Sequence, residues 1–372
     1  MSGTNREHGE PLIRISKRTG ISRGKAWGIR ALALLLALIV SGLVIFAIVK
    51  LSPLKVYLAM FQGAFGTSKR AWATIRDSMM MLCIAVGLAP AFKMKFWNIG
   101  AEGQILVGGI ATAFCMIHFG ASMPAPLLFL VMILTSILCG GIWGMIPGIF
   151  KARWNTNETL FTLMMNYVAI QLTSYCVAQW ESPPGSNAVG IINQTTNAGW
   201  LPPLFGQAYT LNVIIVMILT VLMYIYLKYS KQGYEISVVG DSENTARYAG
   251  INVRKVYIRT MALSGAICGI AGFLAVSGAS RTISTSTAGG RGFTAIIVAW
   301  LAKFNTFVMI LISFLLIFLE KGAIEIASRY NLNDYASQII TGIILFFILG
   351  SEFFINYKVN FRRRHSGERG NG

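Results

Sequence analysis

Carboxylates, amides and glycines set inside apolar sequence are the places where this chain can do chemistry. The densest is Asn98-Ile99-Gly100-Ala101-Glu102-Gly103-Gln104, which lies between two long apolar runs. Hydrocarbon offers no water to free backbone groups, so irregular polar backbone at membrane depth is tolerated only where it is buried in protein or lines a wet cavity. A carboxylate at the centre of a membrane helix costs about 2.5–3.5 kcal/mol on insertion scales unless it is paired or wetted. One reading is that Asn98, Glu102 and Gln104 offer hydrogen bonds to a hydroxylated or amide-bearing solute, while Gly100 and Gly103 let backbone come close. The other is that Asn98 caps the following helix and Glu102 lies in its first turn, where the helix dipole favours an anion.

Two further places carry polar groups. Asn166, at the centre of Met164-Met165-Asn166-Tyr167, serves either as interhelical glue or as a pathway contact. Glu320 and Lys321 lie well inside an apolar run; adjacent side chains do not face each other on a helix, so each needs a partner elsewhere or a path to water. Other chemistries are poorly served. The three histidines are His8 and His365 in the polar tails and His118 at the end of an apolar run, which leaves no HExxH and no Ser/His/Asp set inside the membrane. Cys83, Cys115, Cys139, Cys176 and Cys268 all fall in apolar runs without a CxxC or a Cys/His pair at ligand spacing, and read as small hydrophobes. No metal or other cofactor is expected, and no GxxxxGK[ST] phosphate loop occurs.

The elements that must position these residues are membrane helices. Of 372 residues 55% are hydrophobic and 12% charged, with a mean hydropathy of +0.61, whereas a soluble domain carries roughly 25% charge. The net charge of +18 is spread over short segments between apolar spans, the pattern of a membrane protein whose basic loops face inward rather than of a nucleic-acid binder.

Residues 1–30 form a basic cytoplasmic segment, 31–355 the membrane domain with a cytoplasmic loop at 228–256, and 356–372 a basic cytoplasmic tail. Apolar spans are expected at about 31–49, 75–92, 98–119, 126–150, 158–179, 211–227, 257–279, 307–327 and 335–354. Residues 293–302 are apolar too, but ten residues of helix cover only about 15 Å, half a bilayer, so this element is expected to be a half-helix. The run at 31–49 is longer than a signal-peptide core and is followed by no small-residue cleavage site, so it reads as a retained first helix. Residues 180–209 carry no lysine or arginine and belong outside; 228–259 carry six and belong inside, as do both termini. The expected fold is therefore all-α and polytopic, with about ten transmembrane elements, some of them broken.

The chain also echoes itself. Gly100-Ala101-Glu102-Gly103-Gln104 matches Gly289-Gly290-Arg291-Gly292-Phe293, each beginning the element after a long span. Trp154-Asn155-Thr156-Asn157-Glu158 matches Tyr330-Asn331-Leu332-Asn333-Asp334, each before the last span of its half. By charge count the two halves have inverted topology, an architecture in which interrupted helices meet near the midplane and the site lies at the repeat interface. With Phe293 from the second pentapeptide, the pathway candidates are Asn98, Glu102, Gln104, Asn166 and Phe293. In the cytoplasmic loop, residues 241–250 read as a short helix with Asp241 or Ser242 as N-cap, Glu243 in the first turn and Gly250 just past the end. Under three turns long, it would need to dock on something to be stable.

These residues resemble a known family: the permease subunits of bacterial ABC importers in the ribose/branched-chain amino acid permease superfamily, most closely the simple-sugar and nucleoside branch. The resemblance runs from about residue 63 to 354 and rests on Gly63-Ala64-Phe65-Gly66, the string from Trp97 to Gln104, Asn157-Glu158 with Thr162-Leu163-Met164-Met165-Asn166-Tyr167, Ala246-Arg247-Tyr248-Ala249-Gly250-Ile251-Asn252-Val253, and Gly292-Phe293-Thr294-Ala295-Ile296. It implies a bacterial cell-membrane protein that pairs with a second permease subunit, a cytoplasmic ATPase dimer and an extracytoplasmic binding lipoprotein, and is not itself an enzyme. It also places the ATPase-coupling helix within 233–250, where Asp241, Glu243, Arg247, Tyr248 and Ala249 are the contact candidates. The chain departs from the family at Trp97, where phenylalanine is usual, and at Glu320-Lys321, where small residues are common. An ion-coupled secondary transporter using Glu102 and Glu320 is the competing function class.

The charge distribution makes a direct prediction. With single cysteines at Ser186 and Ser366, a membrane-impermeant maleimide should label position 186 in intact cells and spare position 366; the opposite pattern would reverse the assigned orientation.

Overall fold

An uncharged run in hydrocarbon must close its hydrogen bonds within itself, so the apolar spans fold as helices. The computed structural model describes residues 13–17, 22–50 and 52–331, and beyond them 339, 342–343, 346–347, 350–351, 353–355 and 357–361. In chain order the helices are α1 (Arg23–Val49), α2 (Pro53–Phe65), α3 (Ser68–Lys93), α4 (Ala101–Phe119), α5 (Ala125–Trp154) and α6 (Glu158–Gln179). There follow α7 (Thr210–Tyr229), α8 (Lys231–Asp241), α9 (Glu243–Tyr248), α10 (Val253–Phe273, continued as a π-helix over Leu274–Ser280), α11 (Arg291–Leu301) and α12 (Thr306–Arg329).

Among the described residues seven helices are long and apolar enough to cross a membrane: α3, α4, α5, α6, α7, α10 with its π-helical end, and α12. The protein is an all-α polytopic membrane protein. Among the described residues the one sheet is a ribbon of β1 (Ile13–Lys17) and β2 (Tyr357–Phe361), paired antiparallel from Ile13 opposite Phe361 to Lys17 opposite Tyr357. The span expected at 335–354, and the last three residues of the Tyr330 to Asp334 echo, lie largely outside the described residues. Residues 53–65 depart from the sequence expectation of a loop: Pro53 stands at the first helical position, where its missing N–H costs nothing, and an apolar helix follows. The half-helix expected at 293–302 is α11, eleven residues long and so about 16 Å.

The chain divides into two compact units, residues Met1–Gly63 with Gly322–Gly372, and Ala64–Lys321. In the first, Ser41 and the Tyr57 hydroxyl lie 2.9 Å apart, Arg329 donates to Gln62, and the Tyr330 hydroxyl donates to the Lys55 carbonyl at 3.4 Å. In the second, α3, α4 and α10 are enclosed by neighbours, while α5, α6 and α7 expose most of their surface. Leu130, Leu134, Leu138 and Ile142 form an exposed apolar row on α5, spaced four apart as a lipid-facing stripe requires.

At the centre of this unit α10 packs against α5, α4 and α3. Lipid is as apolar as leucine, so helices in a membrane associate through close van der Waals contact, which small residues permit. Gly140, Gly144 and Gly148 on α5, spaced four apart, meet Gly265, Gly269 and Met261 on α10. A methyl group on Gly144 would come within 2.6 Å of the Met261 carbonyl oxygen, and one on Gly108 of α4 would come within 2.5 Å of the Gly269 backbone. The far end of α10 holds the 180–209 connection: the Ser277 hydroxyl donates to the Gly199 carbonyl, the Leu201 N–H donates to the Ser277 carbonyl at 3.2 Å, and the Arg281 guanidinium lies 3.9 Å over the Trp200 ring.

Overpacking a tight contact costs typically about 1–3 kcal/mol and sometimes more. Gly265→Val, whose added atoms would strike the Gly140 carbonyl, should lower the melting temperature of the purified protein or remove it from the membrane. Gly28→Ala, where nothing lies within 4 Å, should leave both unchanged.

Candidate functional site

The break between α3 and α4 is irregular backbone, buried at Phe96, Asn98 and Gly100 and exposed at Lys95 and Trp97. Asn98 is fully buried, and its Oδ1 accepts from the Gly100 N–H at 3.0 Å and from Gln104 Nε2 at 3.4 Å, while its Nδ2 donates to Ser264 Oγ on α10 at 3.2 Å. The N-cap of α4 is Gly100, so Asn98 serves the N–H two residues on rather than capping from the helix boundary; a buried amide takes the donor within reach. On the other side, Thr162 Oγ1 accepts from the Ile99 N–H at 3.1 Å. Asn166 Nδ2 donates to the Ile99 carbonyl at 2.9 Å and its Oδ1 accepts from the Gly103 N–H at 2.8 Å. Asn166 thus pins α6 to the break in both directions. Gly103 permits the approach, since a methyl group there would stand 3.0 Å from Asn166 Oδ1.

Glu102 lies in the first turn of its helix, as its sequence context suggests, but its carboxylate serves a helix distant in sequence. It is 8% exposed. Oε1 accepts from the Gly290 N–H at 2.7 Å and Oε2 from the Gly292 N–H at 2.9 Å. The first N–H groups of a helix have no partner of their own, and α11 begins at Gly290, which has no side chain to cap it. A carboxylate there forms charge-assisted bonds and meets the positive end of the helix dipole. A methyl group on Gly292 would fall 2.6 Å from the Glu102 backbone nitrogen, so the two echoing pentapeptides meet backbone to backbone.

The other end of α11 is held as well, by a contact that sequence reasoning did not reach. Trp300 stacks on Trp97 with centroids 5.4 Å apart, and Phe92 meets both rings edge-on. Trp97 in the break and Glu102 in the first turn of α4 thus meet opposite ends of the half-helix. Phe293, in the first turn of α11, is about half exposed.

A cavity of about 410 Å³ opens beside the start of α11, with Arg76, Asp77, Ser284, Thr287, Arg291 and Glu320 among its walls. Of the two charges expected to need separate partners, Lys321 pairs with Asp77 at 2.6 Å, and Glu320 turns to the cavity. Asp77 was missed in the sequence because it sits beside Arg76 near the start of a span and reads as an exposed pair. Its signal was position: an acid inside a predicted span needs a partner.

A second cluster lies at the opposite, N-terminal end of α10. Ser242 caps α9, its Oγ accepting from the Thr245 N–H at 3.3 Å, and Gly250 follows with a φ of 76°. Asp241 ends α8 instead of opening the next helix, and is exposed. Arg247 pairs with Glu243 at 3.4 Å one turn away, and Tyr248 is 93% exposed beside an exposed Ala249. Both short helices are tied to α10: the Tyr257 hydroxyl donates to Glu243, and Arg259 pairs with Glu235 at 2.9 Å.

A polar break between two spans, a half-helix capped from another helix and an open polar cavity beside it mark a polytopic membrane protein with polar groups held inside its helices. Residues 71–349 match the family described as branched-chain amino acid transport system / permease component, and the chain belongs to it. It is similar to the guanosine ABC transporter permease protein NupP of Bacillus subtilis, 31% identical over 301 residues that cover 79% of this chain and 85% of the relative. It is 28% identical over 366 residues, 93% of each chain, to the glucose ABC transporter permease protein TsgB13 of Haloferax volcanii. A nucleoside ABC transporter permease of Lactococcus lactis is 26% identical over 83% of this chain and 88% of its own. In such systems ATP is hydrolysed by a separate ATPase subunit, so this chain is a multi-pass transport component and not an enzyme.

Hydrogen bonds to a charged group contribute about 1.5–3 kcal/mol each. Glu102→Gln keeps the size but gives up the charge that caps α11, and should lower the melting temperature, with Glu102→Ala lower still. An unchanged melting temperature for Glu102→Ala would mean that this contact does not hold the half-helix.

Proposed function

We propose that this chain is the transmembrane permease of an ATP-driven importer that takes up nucleosides or simple sugars along a route beside the 98–104 break. The cavity is the observation that supports this most. At about 410 Å³ it lies in the range of small-solute pockets, roughly 300–1,000 Å³, and its walls carry hydroxyl, guanidinium and carboxylate groups suited to an uncharged, hydroxylated solute. In this reading Asn98, Glu102, Gln104 and Asn166 border the route by shaping the segment that carries α11, and Phe293 is presented from its first turn.

The partners are a cytoplasmic ATPase, a second permease subunit and an extracytoplasmic binding lipoprotein, assembled in a bacterial cell membrane. Both termini face the cytoplasm and 180–209 faces outward. The helix α9 seats in the ATPase: an aromatic side chain standing almost free of the protein at Tyr248 is costly to leave in water and suits a partner's pocket. Asp241, Glu243 and Arg247 set the register at the rim, where exposed charge pairs add little affinity.

Vesicles containing the chain with its ATPase and binding protein should accumulate labelled guanosine or glucose only when ATP is supplied. Uptake without ATP, or none of either class, would overturn the assignment. Tyr248→Asp should reduce ATP-dependent uptake at least tenfold, or release the ATPase in pull-downs, while the permease stays folded in the membrane. Normal transport with the ATPase retained would remove α9 as the coupling element.

A further inference from the structure

Asp77 lies outside the set of pathway candidates that the sequence suggests. It is 1% exposed on α3, yet three cations from three elements converge on it. Arg76 Nε on its own helix stands at 2.9 Å, Lys321 Nζ on α12 at 2.6 Å, and Arg291 Nη2 at the start of α11 at 3.6 Å. A buried ion pair is weak evidence of stabilisation, because well-packed apolar residues of the same volume are often as stable; its better-attested use is to fix register or to switch.

The three links are unequal. Arg76 and Lys321 hold the carboxylate closely, and Arg76 is itself seated 4.8 Å over the Tyr209 ring. The link to Arg291 is the longest of the three, and Arg291 stands on the cavity wall. A long ion pair is weaker and opens at lower cost than the two close ones, which hold the carboxylate in place when it does. The start of α11 is thus held by two carboxylates from the first half of the chain, Glu102 through the backbone and Asp77 through the Arg291 side chain.

We propose that Asp77 is a positioning residue for transport: through Arg291 it latches the half-helix α11 against α3, and this latch opens when solute passes. The proposal rests on the transport reading above, and its test separates the two. Ala288, 2% exposed in the loop just before α11, reports on the latch when replaced by cysteine in full-length protein whose five native cysteines are alanine. The reagent is a membrane-impermeant maleimide, applied to the chain assembled with its partners in membranes.

Arg291→Gln removes the latch but leaves Asp77 its two tight partners. It should raise the labelling rate at position 288 at least fivefold and cut uptake at least tenfold at unchanged membrane level, with Arg291→Lys restoring a substantial part of both. Asp77→Asn should act in the same direction; where that variant fails to reach the membrane, Arg291→Gln decides. Labelling at the unmodified rate in Arg291→Gln overturns the latch, whatever happens to uptake. Faster labelling in a system whose unmutated chain shows no ATP-dependent uptake would leave the latch standing and remove the transport reading.

Discussion

The structure depends on one constraint: the first N–H groups of a helix have no acceptor within that helix. α11 meets it at Gly290, with no side chain of its own to serve as a cap. Glu102 supplies both missing acceptors from a helix nearly two hundred residues earlier. The surrounding glycines follow from this contact, since any side chain at Gly292 would strike Glu102 itself. So does the irregular course of residues 97 to 100, which leaves Trp97 at one end of the half-helix and the Glu102 carboxylate at the other. The carboxylate that would be a liability alone in the membrane is made stable by the same unmet groups that would be a liability to the half-helix.

Around this contact α10 is the axis. Glycines on α4, α5 and α10 bring three helices to backbone contact, which fixes their spacing more strictly than interlocking side chains would, because there are no rotamers to adjust. At one end α10 is bonded to α8 and α9 through Glu235 and Glu243; at the other it becomes a π-helix bonded to the 180–209 connection and leads into the loop before α11. Its 28 residues, about 42 Å of helix, join the exposed Tyr248 helix to the cavity wall by continuous covalent structure. π-Helical turns inside α-helices recur at functional sites, and this one lies where a rigid rod passes into a loop that carries cavity-lining hydroxyls.

The charges beside the cavity show how placement changes the meaning of a residue. Glu320 and Lys321 are neighbours in sequence but diverge on their helix, one to the cavity and one to Asp77. Arg291 occupies in the second pentapeptide the place that Glu102 holds in the first. The two have opposite charge, and each reaches across to an element of the other half: Glu102 to α11, Arg291 to Asp77 on α3. The two echoing positions differ in charge, and each side chain finds its partner on an element far away in sequence.

Much of this was legible without coordinates. Hydropathy marked the seven spans found among the described residues, the ten-residue run at 293–302 announced a half-helix, and Asp241 or Ser242 with Gly250 bounded α9, because all three depend on local composition and on chain length against bilayer thickness. The pentapeptide echo located both breaks for the same local reason. The partner of Glu102 was not legible: its place in the first turn of α4 was, but the backbone N–H groups it serves come within reach only once α4 and α11 are side by side. Asp77 and the Trp97–Trp300 stack were hidden likewise, since an acid beside an arginine and an aromatic beside a break each have an ordinary local explanation. Local periodicity and caps are properties of a dozen residues, and the chain by itself determined them. Which buried donor meets which acceptor is a property of elements far apart in sequence, and only the tertiary packing of α3, α4, α10 and α11 decided it.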